Sequence, residues 1–378
     1  MHTHITPPIP EHASQFAAAY RVLNDAIAAR AFPGCAFGVS AGDEVLLHDA
    51  LGNFTYEPNS PSVNPATVYD LASVSKVVST TAAAMLLNQR GLLKLSALLG
   101  DILPLFVAGR APHDPARRVE LHHLLAHNSG LPGYVEFFRT AASSSELLQE
   151  CLQLPLQAEP GVRAEYSDPG FILLGKALEA RLVEIGIHEP FPAWISRELF
   201  QPLEMNSTGF SPAPDRRSLI PPTEEDATFR HRRIQGEVQD ENAWLLNGVA
   251  GHAGLFSNVP DLLRFSGEIL RSSSRHASPE ERPNLFDSQT VQHFADRQGP
   301  DGSSRALGWD TPSPNSSSGR HFSPRSIGHL GYSGCSLWID LDAKIAVVLL
   351  TNRTWPNREA QLIREVRPAF HDAVREAL

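Results

Sequence analysis

Ser73 and Lys76 stand three residues apart in the stretch Val68-Tyr69-Asp70-Leu71-Ala72-Ser73-Val74-Ser75-Lys76-Val77-Val78, where a short extended segment is expected to turn into a helix. That spacing puts both side chains on one helical face, one above the other, with Ser73 as the expected N-cap. A serine hydroxyl is a weak nucleophile near neutral pH and needs a neighbour to take its proton. Lysine can be that base, because burial strips water from the ammonium and lowers its reference pKa of about 10.4. From Val77 to Leu87 every position is apolar or a small Ser or Thr, so the helix should be buried on nearly all sides and should end near Gly91. A capped helix start with a solvated lysine fits the same four residues. The chemistry therefore depends on what the rest of the chain brings to them.

An acyl-transfer site also needs a second proton carrier near the leaving group and donors aimed at the developing oxyanion. Tyr166 stands just before Ser167-Asp168-Pro169-Gly170, a helix start in which Ser167 or Asp168 caps and proline occupies the first turn. From there its phenol is placed to project into a cleft, although a core or rim tyrosine would read the same way. The run Ile327-Gly328-His329-Leu330-Gly331-Tyr332-Ser333-Gly334 reads as a strand whose glycines allow close backbone approach. The backbone N–H groups of Ser73 and Tyr332 are the expected oxyanion donors.

The elements that must position these groups follow from periodicity. Residues 16–30 alternate at helical period, and residues 35–40 and 44–51 read as a β-hairpin around Ala41-Gly42-Asp43. Short helices are expected at 92–103, 121–126, 145–152 and 191–199, and a longer one after Ser167 with Phe171, Leu174, Leu178 and Leu182 on its buried stripe. Residues 211–237 are polar and Pro-rich and are expected to form a long surface excursion. An amphipathic helix at 261–271, strands at 326–331, 335–341 and 345–351, and a last helix at 358–378 complete the chain. Strands thus cluster near both ends and helices in the middle. The expected fold class is α+β: an antiparallel sheet built from both chain ends and flanked by terminal helices, with an inserted, mostly helical domain. The expected division is residues 10–72 plus 258–378 for the sheet domain and 73–257 for the helical one, with the site in the cleft between them.

Composition narrows the function classes. The 378 residues carry 42 acidic and 32 basic side chains, a formal net charge of -10, which argues against a nucleic-acid or anionic-membrane surface. Met1 to Pro8 lacks a basic start and an apolar run, and no stretch of about eighteen apolar residues occurs, so a soluble, cytoplasmic protein is expected. Cys35, Cys151 and Cys335 are odd in number and far apart, the pattern of buried free thiols. His123 and His127 have the i, i+4 spacing of a zinc helix but lack the glutamate after the first histidine, so no metal and no cofactor is expected.

Ser73-x-x-Lys76, Tyr166-Ser167-Asp168 and His329-Leu330-Gly331 together resemble the three motifs of the class C β-lactamase and penicillin-binding serine hydrolase superfamily, which includes the family VIII carboxylesterases. Asp70-Leu71-Ala72-Ser73, the run from His123 to Pro132, Gly251 to Ser257 and Gly334 to Asp340 carry the same resemblance, which covers the chain from about Phe32 onward. It implies that Ser73 forms an acyl-enzyme, that Lys76 and Tyr166 shuttle its proton and activate the deacylating water, that His329 joins them as a catalytic residue, and that the strand carrying His329 and Gly331 binds substrate, with Asp168 also expected to contact it. Two departures stand out. Asp168 replaces the usual asparagine of the second motif, and Leu330 replaces the threonine of the third. A second layer, Pro222-Thr223-Glu224, the run Gly236 to Ala243 and Gly248 to Ser257, resembles the subgroup of exo-acting amidases that trim muramyl peptides and their esterase-like relatives. There Gln239 stands in place of a histidine, while Asp240 and His252 either line the cleft or cap and pack the small-residue turn.

These readings make the expected substrate a small ester or amide. A carboxylate near Lys76 would favour its charged form and weaken it as a base, so a binding or sensor protein that acylates and turns over poorly is the alternative of another class. Muramyl-peptide amidase, D-alanyl carboxypeptidase and β-lactamase activities are alternatives within the hydrolase class. His329 and Leu330 offer no fixed cation or hydroxyl to a substrate carboxylate, so uncharged substrates are expected to be preferred. Arg353 and Arg358, just past the last strand, are the candidates to supply the absent charge.

Overall fold

The computed structural model describes residues 14–274 and 284–378, so the reading of Met1 to Pro8 lies outside the described residues. The chain opens with α1 (Ala17–Ala28) and the hairpin β1 (Gly34–Ala41) and β2 (Glu44–Gly52). A two-residue strand β3 (Tyr69–Asp70) leads through the Ser73 turn into α2 (Ala82–Gln89), followed by α3 (Leu121–Leu125), α4 (Ser144–Gln153) and α5 (Asp168–Glu184). Then come β4 (Gly209–Phe210), the small hairpin β5 (Glu224–Asp226) and β6 (Arg232–Ile234), α6 (Glu241–Leu245), β7 (Leu255–Ser257), α7 (Val259–Ser272) and α8 (Ser288–Ala295). The chain closes with β8 (Ser326–Leu330), β9 (Ser336–Asp340), β10 (Ile345–Thr351) and α9 (Ile363–Glu376).

The main sheet is antiparallel in the order β2-β1-β10-β9-β8, so strands from both chain ends do share one sheet. The near-continuous apolar run of β10 follows from its central place, since a strand covered on both faces needs no polar alternation. Ile345, Val347 and Leu349 pack with Phe37, Val39 and Trp338 against α1 and α9, through Phe16, Leu23, Phe370 and Val374. Ala346, Val348 and Leu350 face the other way, toward Val259, Leu262 and Leu263 of α7 and the larger core. Truncating Ile345, Leu349 or Leu350 to alanine costs about 2–5 kcal/mol.

The polar 211–237 segment is not simply a surface excursion. Thr223, Glu224 and Asp226 are buried, and Asp226 accepts hydrogen bonds from the backbone N–H groups of Thr228, Phe229 and Arg230. Glu224 takes a two-pronged contact from Arg358, at 2.7 and 2.6 Å. Only 99–102 is α-helical within the expected 92–103 helix, and Asp310 forms isolated bridges to Arg305 and Gly328. No helix among the described residues is long and apolar enough to cross a membrane. The three thiols are buried and unbridged.

Candidate active site

Ser73 is not the N-cap its surroundings suggest. It sits inside a tight 3-10 turn, Ala72–Val74, which runs into a π-helical stretch, Lys76–Thr81, before α2 begins. The cause lies one and three residues upstream. Ala72 adopts a left-handed φ of 46°, costly for a residue with a Cβ. It is held there by the buried Asp70, whose Oδ1 accepts the Ala72 N–H at 2.8 Å and whose Oδ2 accepts the Gln239 N–H at 2.7 Å. Burial, partly offset by these two bonds, pushes the Asp70 carboxyl up to about 6. On the far side Ser75 Oγ accepts the Leu255 N–H at 3.0 Å and Thr80 Oγ1 donates to Gly251 O at 2.7 Å, which ties the turn to β7 and the glycine-rich loop before it.

Lys76 is the hub of the side-chain contacts. Its Nζ lies 3.0 Å from Ser73 Oγ, 2.6 Å from Tyr166 Oη, 2.7 Å from Asp168 Oδ1 and 3.1 Å from the carbonyl of His252. Tyr166 and Asp168 are delivered by the start of α5, where Ser167 Oγ accepts the Gly170 N–H at 3.0 Å and so caps the helix as expected. Ser167 N–H in turn donates to His127 Nδ1 at 2.9 Å, and the His127 ring stacks 4.7 Å from that of Tyr166. Burial alone would lower the Lys76 pKa, but Asp168 and Tyr166 outweigh it and raise the value above that of a free lysine. Burial raises Tyr166 as well, against the pull of Lys76. At rest the site therefore holds an ammonium and a neutral phenol.

The third motif arrives on the end of β8. Gly331 is required there: a Cβ would stand 2.4 Å from Leu71 O, inside any real contact, so only glycine lets the strand end pass the Ser73 turn. Ser333 Oγ donates to Asp70 O at 2.8 Å and closes the two segments together. Among the described residues neither the Ser73 N–H nor the Tyr332 N–H donates to a group of the chain. The 331–335 turn is fixed from behind by Arg367, which donates to the carbonyls of Gly331, Gly334 and Cys335 at 2.5, 3.2 and 2.9 Å. His329 is buried and donates through Nδ1 to Leu330 O at 2.8 Å, and burial, with Lys76 and Arg305 nearby, holds its pKa well below the usual range.

The remaining sequence candidates divide. Asp240 caps α6 through the Ala243 N–H at 2.7 Å, as the capping alternative has it, and also accepts from His252 Nε2 at 2.9 Å. Burial would raise the Asp240 pKa, but His252 outweighs it and holds it at about 2. His252 reaches Lys76 only through its backbone carbonyl. Arg353 does not supply a substrate cation: it is 4% exposed and spends its guanidinium on the carbonyls of Tyr332, Arg358 and Ala360. Arg358 is neutralised by Glu224 and Glu241. Arg305, absent from the sequence candidates, lies with its guanidinium carbon 5.3 Å from the Tyr166 ring centre. Arg305 comes from the irregular segment before β8 and lies 4.0 Å from Asp310 Oδ2. Among the described residues no three His, Cys, Asp or Glu side chains cluster as a metal site, and His123 instead accepts the Glu120 N–H.

Comparison with known proteins shows the family and the fold. The chain is 29% identical over 361 residues to an N-acetylmuramyl-L-alanine amidase of Bacillus subtilis (strain 168), covering 86% of this chain and 78% of that protein. Its fold is similar to that of EstCE1, a hydrolase with promiscuous acyltransferase activity, with a TM-score of 0.74 at 23% identity over 97% of this chain and 99% of the other. A penicillin-binding protein homolog from Caulobacter crescentus superposes with the same TM-score of 0.74 at 17% identity, covering 99% of both chains. The Beta-lactamase family model matches residues 19–369, and the chain belongs to that family.

Proposed function

We propose that this protein is a serine hydrolase that cleaves a small ester or amide through a Ser73 acyl-enzyme, in the cleft between a sheet domain and an inserted helical domain. The observation that carries this reading is the convergence of Ser73 Oγ and Tyr166 Oη on one buried amine, Lys76 Nζ, at 3.0 and 2.6 Å. Ser73 Oγ adds to the substrate carbonyl carbon as its proton passes to Lys76 in the amine form. The oxyanion is met by the Ser73 and Tyr332 N–H groups, which the chain itself leaves unspent. Tyr166 gives its proton to the leaving group and recovers one from the Lys76 ammonium. Water then attacks the acyl carbon, the same pair carries its proton, and Ser73 departs with its hydroxyl restored. His329, Gly331, Asp168, Asp240 and His252 shape the surroundings of this chemistry rather than bond to the reacting carbon.

A specific observation also favours a second reading, a sensor that acylates and turns over poorly. Asp168 stands 2.7 Å from Lys76 and holds it as an ammonium, which slows both half-reactions. One experiment separates them: a panel of a short-chain aryl ester, a chromogenic β-lactam, a D-alanyl dipeptide and a muramyl peptide, followed past the first equivalent of product. Steady turnover of any member supports the hydrolase, and a burst of one equivalent without turnover supports the sensor. No acylation by any member contradicts both.

A further inference from the structure

Tyr166 can carry a proton only while its hydroxyl stays on Lys76, yet it stands just outside α5, where no helical hydrogen bond fixes it. The backbone on both sides of it is held by one residue, His127. The Glu165 N–H donates to His127 O at 2.7 Å, and the Ser167 N–H donates to His127 Nδ1 at 2.9 Å. Alternate N–H groups of extended backbone, the conformation Ser167 adopts, point the same way, so a single partner can meet both. Further along the same loop, Pro132 O accepts from Ser167 Oγ at 2.7 Å and Gly133 O from the Asp168 N–H at 2.9 Å. Of these acceptors only His127 Nδ1 belongs to a side chain, so it alone depends on which residue stands there.

The imidazole ring also packs beneath the reacting groups. Its centre lies 4.7 Å from that of Tyr166 and 4.9 Å from that of Phe171, and Lys76 Nζ stands 4.7 and 5.6 Å from the same two rings. Accepting through Nδ1 puts the ring proton on Nε2, which is buried without a partner. A leucine or phenylalanine would fill this space and leave no donor unmet, and an unmet buried donor costs stability. Packing alone therefore does not account for a histidine. Burial, with Arg305, Lys76 and His329 nearby, holds the His127 pKa well below the usual range, so protonation does not take the Nδ1 acceptor away at neutral pH. The backbone agrees, since His127 takes a left-handed φ of 54°, a region in which histidine and asparagine are enriched.

We propose that His127 is a positioning residue for Tyr166. Its carbonyl and Nδ1 clamp the chain on either side of the tyrosine, and its ring supports the phenol, so that the hydroxyl stays aimed to hand its proton to the leaving group. This inference rests on the role of Tyr166 in the Ser73 hydrolase reading.

The test compares benzyl acetate with 4-nitrophenyl acetate. Both leave the same acetyl group on the enzyme, but a benzyl alkoxide needs a proton to depart and a nitrophenolate does not. His127→Gly and His127→Asn both tolerate the left-handed φ, and only asparagine offers an oxygen acceptor in place of Nδ1. His127→Gly should lose at least about tenfold more kcat/KM on benzyl acetate than on 4-nitrophenyl acetate, part of the hundredfold or more that general-acid proton transfer supplies. His127→Asn should keep the ratio of the two esters within about threefold of wild type, because the acceptor is retained; a tenfold fall in that ratio contradicts the clamp even where the glycine variant does not fold. Tyr166→Phe should show the same dependence on the leaving group, and adding His127→Gly to it should not deepen that dependence, since no acid is left to position. An equal loss on both esters in a glycine variant that is folded by circular dichroism overturns the positioning role and leaves Tyr166 in place. A Tyr166→Phe variant without leaving-group dependence removes Tyr166 from proton transfer to the leaving group, and overturns that part of the hydrolase reading together with the positioning role.

Discussion

Replacing Asp168 with asparagine should move the pH dependence of catalysis toward acid. In the resting site Lys76 Nζ and Asp168 Oδ1 are 2.7 Å apart, with the lysine side chain fully buried and the carboxylate 15% exposed. At an effective dielectric constant of about 20, two unit charges at that separation attract by about 6 kcal/mol. Measured shifts from one such neighbour are smaller, about one to three pK units, because removing a charge lets water and dipoles rearrange. Each unit is worth about 1.4 kcal/mol. The carboxylate stabilises the ammonium, so the wild-type Lys76 pKa is raised and the amine that must accept the Ser73 proton is scarce at neutral pH. Asp168→Asn removes the negative charge and keeps the shape, which lowers the Lys76 pKa by about one to three units. Below the wild-type limb the acylation rate should rise by about tenfold or more, and well above it the two proteins should converge. The assay is kcat/KM on an uncharged aryl acetate from about pH 5 to pH 10, where the wild type is still on its rising limb and the shift reads as a displacement of that limb, with native folding checked by circular dichroism. An unmoved limb, or a loss of activity at every pH with the fold intact, refutes the reasoning and makes the carboxylate a required proton carrier.

Lys76→Ala and Tyr166→Phe should each lower the rate on the best ester at least about a hundredfold with the fold intact, as proton-transfer groups do; near-normal turnover in either would make that residue structural. Gly331→Ala should impair activity and lower Tm together, because its Cβ would meet Leu71 O at 2.4 Å, and differential scanning fluorimetry beside an ester assay reads both. Asp70 links stability to pH. Its folded pKa, about 6, exceeds the reference of 3.8, so its contribution is fully present below pH 3.8 and is lost as pH rises through 6. Urea melts should therefore show wild type gaining roughly 3 kcal/mol on Asp70→Asn between neutral pH and about pH 4, and no gain would show that Asp70 is not perturbed.

What could be read from the chain alone, and what could not, divides along local and long-range physics. The hairpin of β1 and β2, the apolar run of β10 and the Ser167 cap of α5 are decided by residues close in sequence, and each stands where the pattern puts it. The three motifs were legible only together, through their resemblance to one family, since each alone also fits a structural role. Ser73 as an N-cap was misread because the turn around it is set by a carboxylate, Asp70, that also reaches Gln239 across the fold. The 211–237 segment looked like solvent-facing polar chain, yet Glu224 and Asp226 are buried, since a charge goes inside once Arg358 or Arg230 pairs with it. Arg305 was invisible within a run of Ser, Pro and Gly of no recognisable period. Its neighbours Tyr166, His127 and His329 arrive from three distant segments, and no spacing in the sequence announces them.

The central claim is that Ser73 is the group that becomes acylated. Fluorophosphonate treatment followed by peptide mass analysis addresses it directly, because the reagent bonds preferentially to an activated hydroxyl. The expected result is a single adduct on Ser73 that is lost in Ser73→Ala and strongly slowed in Lys76→Ala. Modification at Ser129, Ser333 or another position, with Ser73 untouched, would contradict the account.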